Sequence, residues 1–389
     1  MGNIVDFFER HDGHICSKCF TDYAIIDFIE ANSVENAICR FCNSKKTVAP
    51  LNDVFSFFME GIRYDWDNPA NCLGWNGREG GWQGALVYDG DELINDIYYD
   101  CFNNDEAQEY FADYLRQEEF CKDNPYGLSL DEILKYGWEA FSDQVKHKTR
   151  YLFNEYREAK SYHSLEDLEP ADFLKALAEQ LKQFNLEKEL PRDSDLFRVR
   201  IHKEVEQYTL AKELGTCPDI MCKSSNRMSP AGIGMFYGAI EEETALAETV
   251  DLDNVKGKVA TVATFKNLRG LKLIDLSEKV IPSLPSVFDE DHRARRDAIV
   301  FLRNFVKDLI KPIERDGREH YEYVPTQIVT EFLRYFPIYN EPIDGLLYTS
   351  SRDGKIACAL FIDNEQCVDI ETDDAILKLT QVKRIYLDK

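Results

Sequence analysis

The residues best suited to chemistry lie in the stretch NRMSPAGIGMFYGAIEEETALAETV, positions 226–250. Arg227 opens it, Tyr237 follows ten residues later, and Glu248 comes eleven after that. A guanidinium suits an anionic group such as a phosphate, and a carboxylate suits positive charge developing on a substrate. A tyrosine offers a flat face, or a hydroxyl, to fix a ring. The residues between them predict how the three are carried. Ser229, Pro230 and Gly232 favour a turn. Met235, Phe236 and Tyr237 are too few for a helix and suit one buried strand. Glu241, Glu242 and Glu243 mark a helix start, where the dipole favours acids, and Glu248 lies about two turns in. Turn, strand and helix in succession can bring arginine, aromatic and carboxylate to one cleft.

A second set of residues suits a metal. Cys16 and Cys19, then Cys39 and Cys42, form two CxxC pairs with nineteen residues between them. Each such turn aims two thiolates at one ion, and tetrahedral Zn2+ needs two of them. The apolar run 23–29 can pack beside the ion. A closed four-thiolate site is structural and not a reaction centre. Four buried free cysteines or a redox pair are the plainer alternatives, and neither explains the duplication. His11 and His14 lie close enough in sequence to substitute as ligands, although solvated histidines are the simpler account. The chain has eleven cysteines but no export signal, so the pairs point to metal and not to bridges.

Around these groups the sequence predicts two kinds of scaffold. Residues 52–190 read as mainly helical, with helices from 53, over 86–102, 105–120, 129–153 and 167–184, and a glycine- and tryptophan-rich loop over 75–84. The polar stretch 191–195 marks a domain boundary. Residues 196–201 alternate apolar and basic, which indicates a strand carrying Arg198 and Arg200. Two strands follow within 257–276, then a helix over 294–311 and another from 323. A turn and strand end at Ser350 and Ser351, and one more strand covers 357–363. This order suits a mixed α+β domain. The expected division is a four-cysteine module over 1–50, a helical domain over 51–190 and an α+β domain over 191–389.

The Arg–Tyr–Glu spacing, with Pro230 and Gly232 in the turn, resembles the RES family, named for an arginine, a glutamate and a serine. The resemblance covers roughly residues 196–370. Asn226 and Met228 depart from the commonest form, which has glycine before the arginine and tryptophan after it, and the departure bears on the pocket wall. In the family a strand near the domain start carries another arginine. Arg198 matches best, Arg200 is the fallback, and two exposed strand arginines are the plainer reading. Ser350 is the favoured third landmark, with Ser351 the alternative. The preceding helical region is similar in placement to the HEPN-like domain found before some RES domains. HEPN ribonucleases use an arginine and a histidine a few residues apart, and Arg157 and His163 have that separation. Glu158 replaces the usual polar neighbour, so a charged helix end is the better account.

The resemblance implies a fold like ADP-ribosyltransferase toxins and an attack on NAD+. Its nicotinamide is a cationic leaving group, so cleavage needs charge stabilisation and positioning more than acid catalysis. Glu248 would sit by the ribose, Arg227 and Arg198 by the pyrophosphate or an attacking phosphate, and Tyr237 by the nicotinamide. Ser350 would donate to a phosphate or ribose oxygen. Phosphorolysis or hydrolysis is the leading expectation, in a toxin or a phage-defence effector. ADP-ribosyl transfer to a protein is the second, and a zinc-stabilised adaptor without catalysis is the third. An antitoxin, a protein activator and a homo-oligomer are the partners left open.

The bulk composition narrows the classes. Net charge is −25; residues 1–190 hold 37 acids and 18 bases, a net of −19, and the remainder 34 and 28, a net of −6. Such an acidic front half repels phosphate backbones, so nucleic acid is not expected as the main partner. No apolar run reaches the roughly 18 residues that span a membrane, and the start lacks the apolar core of a secretion signal. Gly2 lacks the serine or threonine that myristoylation wants four residues on. A cytoplasmic enzyme without a membrane partner is the expectation.

Overall fold

The computed structural model describes residues 11–155, 168–250, 255–311 and 317–387. Arg157 and His163 lie outside them. The chain forms two compact units, the first made of Met1–Ser129 with Leu284–Asp297, the second of Leu130–Ser283 with Ala298–Lys389.

The first unit opens on β1 (His14–Cys16), paired antiparallel with β2 (Val48–Pro50). Between them lies α1 (Tyr23–Ala31), which starts where the Asp22 carboxylate accepts the Ala24 and Ile25 N–H groups at 2.9 and 3.3 Å. Next come α2 (Leu51–Asp65) and, after Asn104 caps the Ala107 N–H at 2.9 Å, α3 (Asp105–Leu115). Phe55, Phe58 and Phe111 fill the space between these helices. Trp75 and Trp82 meet edge to face on a small two-stranded ribbon, Gly74–Asn76 with Gly81–Gln83.

Two helices expected here are cut short. Residues 86–102 do not form one amphipathic helix but a two-residue strand, a capped turn, a π-turn over Leu93–Ile97 and a 3-10 turn. Gly90 is the reason: its backbone lies so close to Leu115 that a Cβ would meet the Leu115 carbonyl oxygen at 2.1 Å. Its N–H donates to Glu118 at 3.0 Å, which ties this stretch to the end of α3 and bends it away from a continuous helix. The helix expected over 105–120 stops at Leu115 because the chain turns into a strand, Glu119–Lys122, that pairs with Trp66–Asp67 and Tyr88–Asp89.

Leu284–Asp297 completes this unit from far along the chain. Val287 and Phe288 are buried in its core, and the Phe288 ring stacks on Phe58 at 4.8 Å. Tyr23 donates its hydroxyl to Asp289 at 2.6 Å and accepts the Ser286 N–H at 3.2 Å. Apolar burial and these polar bonds together account for the segment's membership.

The second unit begins with α4 (Leu130–His147) and α5 (Phe173–Gln183). Its sheet has nine strands: β3 (Glu187–Leu190), β4 (Asp195–Lys203), β5 (Phe236–Ala239), β6 (Lys258–Asn267), β7 (Leu271–Leu276), β8 (Gly345–Thr349), β9 (Ile356–Leu360), β10 (Cys367–Val368) and β11 (Leu377–Tyr386). Their order across the sheet is β10-β11-β6-β4-β5-β9-β8-β7-β3. The pairs β7–β8 and β10–β11 are parallel and the others antiparallel, so the sheet is mixed and the α+β expectation holds. Side chains alternate as the pleat requires. Ile274, Leu276, Leu346 and Ala359 join the cluster that holds α4, α5, α7 (Arg296–Ile310) and α8 (Val324–Tyr335). Leu273, Leu347, Cys358 and Leu360 face the other cluster, with Leu196, Phe236 and Phe265. Helix α6 (Glu242–Thr249) follows β5 directly.

The sequence puts a boundary at 191–195, whereas β3 (Glu187–Leu190) before it already belongs to the sheet and compact packing divides the chain at 129–130. Trp138 and Phe141 of α4 and Phe173 of α5 lie against Phe305 of α7, with Trp138 edge to face at 5.1 Å, so these helices complete the core beside the sheet. No helix among the described residues is long and apolar enough to cross a membrane.

Candidate functional site

In the first unit the chain brings Cys16, Cys19, Cys39 and Cys42 into one group, with all sulfurs within 4.8 Å of one another. Cys16 ends β1 and Cys19 ends the 3-10 turn after it. Cys16 lies 3.8 Å from Cys19 and 3.3 Å from Cys42, and Cys19 lies 3.6 Å from Cys39. A tetrahedron of thiolates about 2.3 Å from a central ion has edges of about 3.8 Å, so the donor set fits a tetrahedral thiophilic metal. The two histidines are not part of it. His11 pairs its Nδ1 with the Tyr110 hydroxyl at 2.8 Å and lies over Phe55, and His14 belongs to β1.

In the second unit a cavity of about 390 Å³ is lined by Arg198, Arg227, Tyr237, Glu248 and Ser351. The turn that carries Arg227 is closed by the Asn226 N–H on the Ser229 carbonyl at 2.8 Å. Helix α8 holds it from behind. Thr326 donates its hydroxyl to the Arg227 carbonyl at 2.6 Å, and Gln327 donates to the carbonyls of Asn226 and Ser229 at 2.8 and 3.3 Å. The Arg227 guanidinium donates to the Leu309 carbonyl at 3.3 Å, at the negative end of α7. Burial pulls this guanidinium down from its ordinary value, against the opposing pull of Tyr323, Tyr348 and Glu248 nearby. Met228 stands where a tryptophan is usual in the resemblance. It is buried, and its sulfur accepts the Thr330 hydroxyl at 3.4 Å, which fits the smaller side chain into the wall.

Tyr237 sits on β5 with its hydroxyl paired to Ser229 Oγ at 2.9 Å, and burial pushes it up to about 12. Arg198 on β4 donates to the Tyr237 carbonyl at 3.0 Å and lies over the Phe236 ring at 5.2 Å. Burial lowers its value too. Glu248, exposed on α6, forms part of the lining and acts electrostatically on Arg227 and Tyr348.

Arg200 is placed elsewhere. It is exposed, donates to the Glu213 carbonyl and lies over Tyr208 at 4.4 Å. Two residues along a strand move a side chain about 6.6 Å, which separates it from Arg198. The two serines also differ. Ser350 is 1% exposed, and its Oγ accepts the Arg352 N–H at 3.1 Å, so this side chain holds the turn. Ser351 is the one that lines the cavity.

Tyr323, Tyr348 and Arg352 line the same cavity, and the sequence reading did not single them out. Tyr348 carries a signal in retrospect: it lies in β8, the strand that leads into the two landmark serines. Burial, then the charge of Glu248, raises its hydroxyl well above the ordinary value. Tyr323 carried only the signal of a helix start.

Comparison with known proteins matches two family models. The model described as HEPN/RES N-terminal domain 1 covers residues 32–159, and the RES domain model covers residues 195–380. No curated protein and no solved structure gives a match.

Proposed function

Since the chain carries a RES domain behind a HEPN/RES N-terminal domain, we propose that it cleaves the bond between nicotinamide and ribose in NAD+. The observation that supports this is one cavity holding Arg198, Arg227, Tyr237 and Glu248 together. Two arginines that keep their charge despite burial suit a pyrophosphate, because a desolvated guanidinium binds phosphate more strongly than a hydrated one. Glu248 is the single acid lining the cavity among the described residues. Its carboxylate stabilises the positive charge that grows on the ribose as nicotinamide departs neutral. Tyr237 and Tyr348, both protonated at neutral pH, supply flat faces and hydroxyl donors without adding charge that would oppose Glu248. Ser351 takes the serine's role at a ribose or phosphate oxygen, and Ser350 shapes the turn. The acceptor is phosphate or water.

The same reading gives the four cysteines a structural zinc ion. When bound, it would supply cross-linking of two chain segments and no reaction step. We further place the protein in the cytoplasm as a toxin or defence effector restrained by an antitoxin or released by an activator.

The test is to incubate the purified chain with NAD+, with and without phosphate, and to follow the products by proton and phosphorus NMR. Nicotinamide release with a phosphorylated ADP-ribose, lost in Glu248→Ala, supports phosphorolysis. Free ADP-ribose in either buffer supports hydrolysis. NAD+ consumption by Glu248→Ala at the parent rate refutes the assignment of that residue.

A further inference from the structure

Two cysteines outside the metal group sit against the turn that carries Arg227. Cys217 and Cys222 bracket the sequence Pro-Asp-Ile-Met, and both are half-buried. The residues between them form a single 3-10 turn, Asp219–Met221, which folds the second cysteine back toward the first. Cys222 donates its N–H to the Asp219 carbonyl at 3.0 Å and its thiol to the Cys217 carbonyl at 3.3 Å. The Cys222 sulfur thus lies against the Cys217 backbone, and the Cys217 thiol donates to the Pro218 carbonyl at 3.6 Å. Ile220 and Met221 at the tip are 91% and 61% exposed, so a small reagent can reach the turn.

This turn is tied directly to the site. The Gly232 N–H donates to the Cys222 carbonyl at 2.8 Å, and the Gly234 N–H to the Asp219 carboxylate at 2.7 Å. A Cβ on Gly234 would meet the Cys217 carbonyl oxygen at 2.4 Å, so the two turns have no slack between them. Cys217 acts electrostatically on Arg198, and Arg198 in turn on Cys222.

We propose that Cys217 and Cys222 are a redox-active dithiol whose closure to a disulfide shifts the 229–234 turn and thereby alters the cavity. As a regulation of the proposed NAD+ site it rests on that reading, while the sulfur chemistry does not. The oxidant is a low-molecular-weight disulfide. The Cys217 thiolate attacks one of its sulfurs, the reagent's S–S bond breaks, and the first small thiol leaves as a thiolate that takes a proton from water. Cys222 then gives its proton to solvent and attacks the Cys217 sulfur, forming the intramolecular bond and releasing the second small thiol. The protein loses two electrons and the reagent gains them. Burial, then the interaction with Cys217, pushes the Cys222 thiol up to about 12. Closure draws the sulfurs to about 2.05 Å, far inside hydrogen-bond range, and pulls on the Cys222 carbonyl that holds Gly232.

Trypsin releases residues 213–223, a peptide containing both cysteines and no others. After the full chain is treated with oxidised glutathione, this peptide should lose two hydrogens in mass and resist alkylation by iodoacetamide. Dithiothreitol should restore both thiols, and in Cys217→Ser the Cys222 thiol should stay alkylatable. Hydrogen exchange at Gly232 and Gly234 should change on oxidation in the parent and not in Cys222→Ser, and KM for NAD+ should shift by about fivefold or more. A peptide that keeps two alkylatable thiols overturns the dithiol. A disulfide that leaves exchange and KM unmoved overturns the coupling. If NAD+ stays intact in both states, the proposed activity fails, and peptide mass and exchange still decide the switch.

Discussion

In the cysteine cluster, the four sulfurs come from two pairs, each three residues apart, and span only residues 16 to 42. In the cavity around Arg227, the side chains come from strands, turns and helices spread between residues 198 and 352. The first group is assembled by local turns and one two-stranded ribbon, so a short stretch of chain is enough to bring its sulfurs together. The second exists only when β4, β5, β8, α6, α7 and α8 have all found their places. A metal site of the first kind contributes to folding, whereas a cavity of the second kind depends on it.

The largest effect should come from breaking the first member of the pair. Cys39→Ser removes a buried ligand, and a structural metal site contributes roughly 10 kcal/mol or more to its module. The expected outcome is loss of bound metal together with loss of helical circular dichroism and rapid proteolysis within residues 11–129. Loss of the metal with the helix retained would show that the aromatic core carries the unit by itself. Next is Glu248→Ala, an exposed position on α6 whose loss should leave the melting temperature nearly unchanged. NAD+ consumption should fall on the order of 10²-fold. A melting temperature that drops with activity would mean that the carboxylate holds structure and not charge on the substrate.

Smaller effects should separate the two serines and the two arginines. Ser350→Ala leaves the Arg352 N–H without its acceptor and should cost about 1 kcal/mol of stability. Ser351→Ala should leave stability unchanged and raise KM for NAD+; chemical denaturation and steady-state kinetics on both variants check the contrast. Arg200→Ala should keep KM within about twofold, while Arg198→Ala should raise it by about tenfold or more, on the scale of one charged hydrogen bond.

The smallest concerns pH. Burial alone would push the Asp289 carboxyl up, but the Tyr23 hydroxyl and His292 outweigh it and hold the carboxyl below its usual range. A depressed carboxylate stabilises the fold above its unfolded value of about 3.9, and that contribution is lost as pH falls through the lower folded value. Asp289→Asn should therefore lower the stability of the first unit at neutral pH, make little difference at the acid end and so flatten the acid limb, as urea titrations across that range would show.

Much was legible along the chain. Period-two alternation marked β4, the short apolar run marked β5, and the acidic start marked α6, because each pattern acts through neighbours in sequence. The helix expected over 86–102 failed at Gly90, whose close approach to Leu115 is a long-range contact with no local trace. Segment 284–297 gave no local sign that Phe288 belongs beside Phe58, because that contact joins positions 230 residues apart.

The sequence by itself determined the group of four cysteines that could hold a metal ion, the mixed α+β class, and the turn, strand and helix that carry Arg227, Tyr237 and Glu248. Tertiary structure alone decided that Ser351 and not Ser350 lines the cavity, that Arg198 and not Arg200 lies there, and that Tyr323, Tyr348 and Arg352 join them. Adjacent serines, and arginines two apart, are equivalent in composition and differ only in where the backbone aims them. That aim is set by the turn and strand each occupies and by partners such as the Tyr237 carbonyl, 39 residues from Arg198, which no local pattern records.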